Sequence, residues 1–273
     1  MSAPSESPPR IAFLLGKPVP AASALAGVLD RLRALPATLT IHHPGGDSPP
    51  PWLFAVDLIV QRGLPLPALE TTLPLEQAGV RCCNRIAATI AVNDRALTVQ
   101  SLAGAGVPVP ATVSVAAWAE LRERTAGRPV VVKTAAERTG RGRGVLVAER
   151  GDLPPEAPFD GPYVAQDYVP NDGRVAKVYV AGRQAAGLVK RWPRRHHDDH
   201  PGAAFAPDPG LVALSRRVGA ALGLEIYGVD VLSGPSGPVV VDVNPFPGFR
   251  GVPRADRLIA DHLTALATGR DLD

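Results

Sequence analysis

The sequence predicts a mixed α/β (α+β) chain: a small parallel α/β domain first, then sheet-bearing segments built from hairpin-joined strands. Three observations predict it. Over residues 1–92 short apolar runs alternate with helical stretches, the pattern of a parallel sheet with crossover helices. Beyond that point apolar runs follow one another across Gly- and Pro-rich connections. The clearest pair, YGVDVLSGPSGPVVVDV at 227–243, places a Gly234-Pro235-Ser236-Gly237-Pro238 cluster between two apolar runs, a β-hairpin signal.

The elements follow in order. Residues 11–15 read as a short buried strand and 21–35, rich in Ala and Leu, as a helix. Strands at 38–42 and 56–60, a helix at 66–78, an extended stretch at 80–83 and a helix at 85–92 complete the first unit. Ligands of such sheets gather at the carboxyl ends of the strands. Gln61, Arg62 and Gly63 therefore read either as a substrate-facing loop or as an ordinary one. Gly16-Lys17-Pro18 lacks the spacing of a phosphate loop. Asn93 or Asp94 can cap a helix that runs to Ala105, with Gly106 ending it. Arg95 in its first turn opposes the helix dipole, as a cation serving an anion would, or as a surface arginine does. A helix at 116–125 precedes a strand at 128–134 that carries Lys133 near its end. The loop Thr139-Gly140-Arg141-Gly142-Arg143-Gly144 and a return strand at 145–148 follow. Such glycines let backbone N–H groups approach phosphate oxygens, the alternative being a flexible basic hairpin. Strands at 163–169 and 175–180 flank Pro170-Asn171-Asp172-Gly173, and 184–190 is the next strand. Lys177 and Lys190 interrupt apolar runs there, which implies a site or surface ion pairs. The run KRWPRRHHDDH at 190–200 lacks the spacing of a helical zinc motif and reads as a substrate-facing loop or a solvated turn, with Trp192 as a packing anchor. An amphipathic helix at 211–222 leads into the hairpin, and a helix at 257–267 closes the chain.

Composition narrows the class. The chain has 273 residues, 45% hydrophobic and 20% charged, which fits a globular protein of one large or two small domains. No apolar run approaches the roughly 20 residues that span a bilayer, and no secretory segment opens the chain, so a cytoplasmic protein without a membrane partner is expected. The net charge of +3 suits an anionic ligand, and no aromatic-studded basic stripe argues for nucleic acid. Cys82 and Cys83, the two cysteines, read as reduced thiols in or near the core, a redox or metal role being the alternative.

The hairpin carries the chemistry. With the turn centred on Ser236, Asp230 stands opposite Asp242. Alternation puts Asn244 on that face and Val229, Val231, Val241 and Val243 on the other. Cross-strand Cβ atoms lie about 4.5–5.5 Å apart, so two carboxylates there repel unless a cation lies between them. Three converging oxygen ligands with room for water suit Mg²⁺; a solvated hairpin face is the alternative.

Taken in order, NDRALTVQSLAGAGVPVPAT, RPVVVKTAAERTGRGRGV, VAQDYVPNDGRVAKVYVAG, LGLEIYGVDVL and VVVDVNPFPGFRGV resemble the ATP-grasp superfamily from 93 to about 262. The RimK-like amino-acid ligases and the inositol trisphosphate 5/6-kinase branch look nearest. The resemblance implies a pre-ATP-grasp domain at 1–92 with a disordered tail at 1–9, a central lobe at 93–165 and a C-terminal lobe at 166–273, the two lobes clasping ATP. It implies that Arg95 and Lys133 contact phosphates and that the loop of Gly140, Gly142 and Gly144 closes over them. Gln166, Asp167, Tyr168 and Val169 would be the adenine edge, Asp172 would hold the ribose, and Lys177 and Lys190 would lie near the nucleotide. Asp230, Asp242 and Asn244 would hold Mg²⁺, or Mn²⁺ as the alternative ion, with Asp242 replacing the Glu usual in the ligases. Arg191 or Arg250 would face the oxyanion. The implied activity is an ADP-forming carboxylate–amine ligation through an acyl phosphate, on small-molecule or peptide acids and amines. A small-molecule kinase, such as an inositol polyphosphate kinase, is the alternative, and a non-catalytic nucleotide-binding protein the second.

Overall fold

The computed structural model describes residues 8–135, 144–193 and 202–269. The tail over 1–7, Gly140 and Gly142 of the Gly-rich loop, and the cluster at 196–200 lie outside the described residues.

Three sheets form the frame. The first holds β1 (Arg10–Leu15), β2 (Thr38–His42), β3 (Leu58–Arg62) and β4 (Cys82–Cys83) in the order β2-β1-β3-β4, all parallel. Its central strand RIAFLL is apolar on both faces because both are covered. Ile11, Phe13 and Leu15 pack under α1 (Ala24–Arg33) and α7 (Ala255–Thr268), and Ala12 and Leu14 pack under α2 (Leu66–Gln77). Strand β3 starts two residues later than the apolar run suggests, which moves Gln61 and Arg62 from the loop into the strand. Gln61 is then a core residue and not a substrate-facing one: it is 2% exposed and its Nε2 donates to Thr89 Oγ1 at 2.5 Å.

The second sheet is antiparallel, β5 (Thr112–Val115), β6 (Val130–Thr134), β7 (Val145–Ala148) and β8 (Tyr163–Asp167) in the order β5-β8-β6-β7. Val130, Val132, Tyr163 and Ala165 bury one face against Trp118 and Leu121 of α5 (Trp118–Arg124). Side chains alternate along a strand, so Lys133, Val164 and Gln166 are turned to the opposite face. All five residues of β8 pair within this sheet, so a change of lobe at 165/166 would cut the strand.

The third sheet carries β9 (Arg174–Ala181), β10 (Gln184–Arg191), β11 (Ala203–Phe205), β12 (Ile226–Gly234) and β13 (Gly237–Pro245) in the order β11-β10-β9-β12-β13, also antiparallel. α6 (Pro209–Leu222), capped by Asp208 and ended by Gly223 at φ 66°, covers the face bearing Val178, Val180, Val229 and Val231. α7 covers the other face, with Tyr179, Ala181 and Leu188. One side chain ties this sheet to the first: Asn84 Oδ1 accepts from the backbone N of Glu225 and Ile226 at 2.8 and 2.7 Å, and its Nδ2 donates to Ile226 O at 2.7 Å.

Candidate active site

The β12–β13 hairpin brings the two carboxylates together. Asp230 pairs with Asp242, but through two offsets. Gly234 pairs with Gly237, so the turn is the two-residue Pro235-Ser236 and is not centred on Ser236. A bulge between Asp230 and Val231 then restores the pairing, with Val240 opposite Val231 and Val241 left over. Bulges re-aim side chains in this way. Val240, and not the expected Val241, joins Val229 and Val231 in the core. The carbonyl of Val241 accepts instead from Lys133 Nζ at 2.8 Å, joining the second sheet to the third.

Four charged side chains meet beside this contact. Lys177 sits on β9 opposite Asp230 in the ladder. Its Nζ stands 2.8 Å from Oδ1 and donates to Oδ2 at 3.0 Å. Lys133 Nζ lies 4.0 Å from Asp242 Oδ1. Asn244 Nδ2 donates to Asp242 Oδ2 at 3.0 Å. Burial pulls the Lys177 ammonium down, but the charge and hydrogen bond of Asp230 outweigh it and its pKa is raised. Burial lowers the Lys133 pKa below its ordinary 10.5; Asp242 and Asp230 resist the shift and Arg95 adds to it. Burial, then the charge of Asp242, raises the Asp230 pKa against the pull of Lys177. Asp230 Oδ1 is buried, and the Lys177 ammonium is its ion-pair partner. A set of hard oxygens from Asp230, Asp242 and Asn244 on paired strands fits a small divalent cation.

Arg95, Lys133, Val164, Gln166, Asp242 and Asn244 line one cleft, together with apolar residues from Val92 to Leu102 and with Val109, Val240 and Val243. Arg95 opens α4 (Arg95–Gly104), where Asp94 Oδ1 accepts from the N–H of Ala96 and Leu97; its Nη1 donates to Thr134 O at 2.8 Å. Gly144 takes φ 83°, and a Cβ there would meet Thr134 Cγ2 at 2.6 Å, so local packing already requires this glycine. Asp167 points away from Gln166 and pairs with Arg128 on the surface at 3.0 Å. Tyr168 stacks obliquely on Trp192 at 5.6 Å, and Val169 O accepts from Asn171 Nδ2. Asp172, Lys190 and Arg191 lie with Arg174 and Trp192 around a second, more open depression of about 530 Å³. Arg250 is exposed just beyond buried Phe249. Neither Arg191 nor Arg250 lines the first cleft. The apolar lining and the Val241 carbonyl escaped sequence reading, because a valine beside a ligand site looks like a core valine.

Three sheets with a lysine- and carboxylate-lined cleft between the second and third define an ATP-grasp protein. The RimK domain ATP-grasp protein from Sphaerobacter thermophilus shares this fold, with a TM-score of 0.68 at 24% identity over 93% of this chain and 98% of that one. No family model matches the chain. It is 30% identical over 218 residues to a probable alpha-L-glutamate ligase of Sodalis glossinidius, 73% of each protein being covered. A probable alpha-L-glutamate ligase of Rhodopirellula baltica is 26% identical over 218 residues, 72% of this chain but only 53% of that protein. The chain belongs to the RimK-like family of ATP-grasp ligases. It spans about half the length of the Rhodopirellula relative. Among the described residues no helix is long and apolar enough to cross a membrane.

Proposed function

We propose that the chain catalyses ATP-dependent ligation of a carboxylate to an amine, with glutamate as the amino substrate. The observation that carries the reading is the meeting of Lys133, Asp242 and Asn244 at one cleft between two sheets, with buried Asp230 paired opposite Asp242 beside it. The relatives named as glutamate ligases support the choice of amine.

In this reading Asp230, Asp242 and the amide oxygen of Asn244 hold Mg²⁺, with Mn²⁺ as a substitute. When bound, the ion supplies neutralisation of charge on the phosphates. Lys133 and Arg95 bind phosphate oxygens from the second sheet and the N-terminus of α4. Lys177 holds the Asp230 carboxylate in place. Backbone groups of Gln166, Asp167, Tyr168 and Val169 form the adenine edge, and the Asp167 side chain serves only its surface ion pair. Asp172 and Lys190 border the nucleotide. The γ-phosphoryl group passes to the substrate carboxylate, leaving ADP; the amine attacks the acyl phosphate, Arg191 or Arg250 faces the oxyanion, and inorganic phosphate and a proton leave as the amide forms. For the lobes we propose a division near 92 and a second limit just past β8.

The test is ADP release with defined acid and amine pools. Release that needs both, with a mass-identified amide product containing glutamate, is the expected result. Release with a polyol phosphate alone would replace the ligase reading by a kinase. Asp242→Ala should abolish turnover with the circular dichroism spectrum unchanged; full activity in that variant would remove the metal assignment.

A further inference from the structure

At the end of the third sheet where Ala181 pairs with Ile226 lies a second polar cluster, separate from the cleft. Among the described residues, Cys83, Glu225 and His262 are the one group of three or more His, Cys, Asp or Glu whose ligand atoms all lie within 4.8 Å of one another. They come from three separate elements: Cys83 from β4, Glu225 from the turn before β12, and His262 from α7. His262 Nε2 is buried and accepts or donates no hydrogen bond, although it lies 3.1 Å from Glu225 Oε2. The His262 side chain is 8% exposed. Each of the three is held by its neighbours. Cys83 is in the ladder with Val60. The backbone N of Glu225 is bound by Asn84 and its carbonyl by Gly182 N at 2.9 Å. Gly182 packs so closely on the Nδ1 edge of His262 that a Cβ there would collide with the ring, which leaves Nε2 as the atom turned to Glu225.

We propose that Cys83 Sγ, His262 Nε2 and the Glu225 carboxylate form a Zn²⁺ site that fastens the first sheet, the third sheet and α7 together. Sulfur, imidazole nitrogen and carboxylate oxygen are the ligands that tetrahedral Zn²⁺ takes, with bonds of about 2.0–2.3 Å. Ligand atoms around such an ion stand roughly 3.3–3.8 Å apart, so the cluster needs only a small contraction. The fourth position opens toward the half-exposed Glu225, where water or the second carboxylate oxygen completes the shell. Burial and the charge of Glu225 raise the Cys83 pKa, so the thiol enters protonated and one proton leaves to solvent for each ion bound. The site shares no residue with the cleft, and the inference does not rest on the proposed ligation.

Co²⁺ titration of the chelator-treated full-length protein tests it. Expected is one Co²⁺ per chain with a near-ultraviolet thiolate charge-transfer band, displaced by one equivalent of Zn²⁺. The band should persist in Cys82→Ser and in Asp242→Ala, and be lost in Cys83→Ser. His262→Gln provides an independent loss that leaves both cysteines in place. Absence of the band in the wild-type protein, or its survival in folded Cys83→Ser and His262→Gln, overturns the site and leaves the cluster as a buried His–Glu ion pair beside a free thiol. Any Co²⁺ taken up by the histidines at 196–200 would give no thiolate band, so the readout separates them from this site.

Discussion

Removing Lys177 tests the electrostatics of the buried Lys177–Asp230 pair most directly. Lys177 and Asp230 are 18% and 19% exposed and 2.8 Å apart. Losing one partner of a buried pair costs about 3–5 kcal/mol, because the other charge stays behind unpaired. The residual exposure argues for the lower end, so Lys177→Met and Asp230→Asn should each cost about 3 kcal/mol. In a chain of this size that lowers Tm by about 6–12 °C. The double variant leaves no orphaned charge. It should cost less than either single variant, well short of the additive sum of about 6 kcal/mol. The Lys177 pKa is raised on folding, so its contribution is complete below the ordinary 10.5 and is lost only as pH rises through the raised value. Urea unfolding near neutral pH, with EDTA and without nucleotide, therefore measures all of it. Additive single effects, or single effects under about 1 kcal/mol as in exposed pairs, would refute the buried-pair reasoning.

Three further outcomes follow from particular contacts. Lys133 has a folded pKa lowered below 10.5, so between the lowered value and 10.5 the unfolded chain binds more protons there, and stability rises with pH. Urea unfolding across that window should show the wild type gaining on Lys133→Met as pH rises; a flat difference would contradict the assignment. Asn84→Ala removes three hydrogen bonds to the start of β12 and should cost about 3 kcal/mol by thermal unfolding, at about 1 kcal/mol each; a change within about 0.5 kcal/mol would mean that water replaces the side chain. Gly182→Ala places a Cβ at φ 56° against the His262 ring and should cost about 2–4 kcal/mol, part of it recovered in Gly182→Ala/His262→Ala.

Much of the fold was legible because its elements are strongly patterned. β1 and β3 are apolar on both faces, and α6 carries an Asp cap and a Gly end. The missed strands are short and weakly apolar: TVSV of β5 and AAF of β11 form only because β8 and β10 offer free edges. The Lys177–Asp230 pair was half legible. A lysine inside an apolar strand announced a partner, but which one depends on a ladder across 53 residues of chain. The direction of Asp167 was in the sequence all along: adjacent strand residues face opposite sides, so Gln166 and Asp167 cannot both line one cleft with their side chains.

The carboxylate pair shows how a right pairing can follow from incomplete geometry. A turn centred on Ser236 and a regular ladder set Asp230 against Asp242. The two-residue turn at Pro235-Ser236 would by itself set Asp230 against Val241 and turn Asp242 to the opposite face. The bulge cancels that slip, so the proposed metal-binding arrangement depends on an irregularity that alternation cannot reveal. The two geometries part at Val241. In the regular ladder its side chain belongs to the core; with the bulge Val240 takes that place, and the Val241 carbonyl meets Lys133 across the cleft. One extra residue in β13 thus does two jobs, bringing the carboxylates to a common face and giving the opposing lobe's lysine an acceptor beside them.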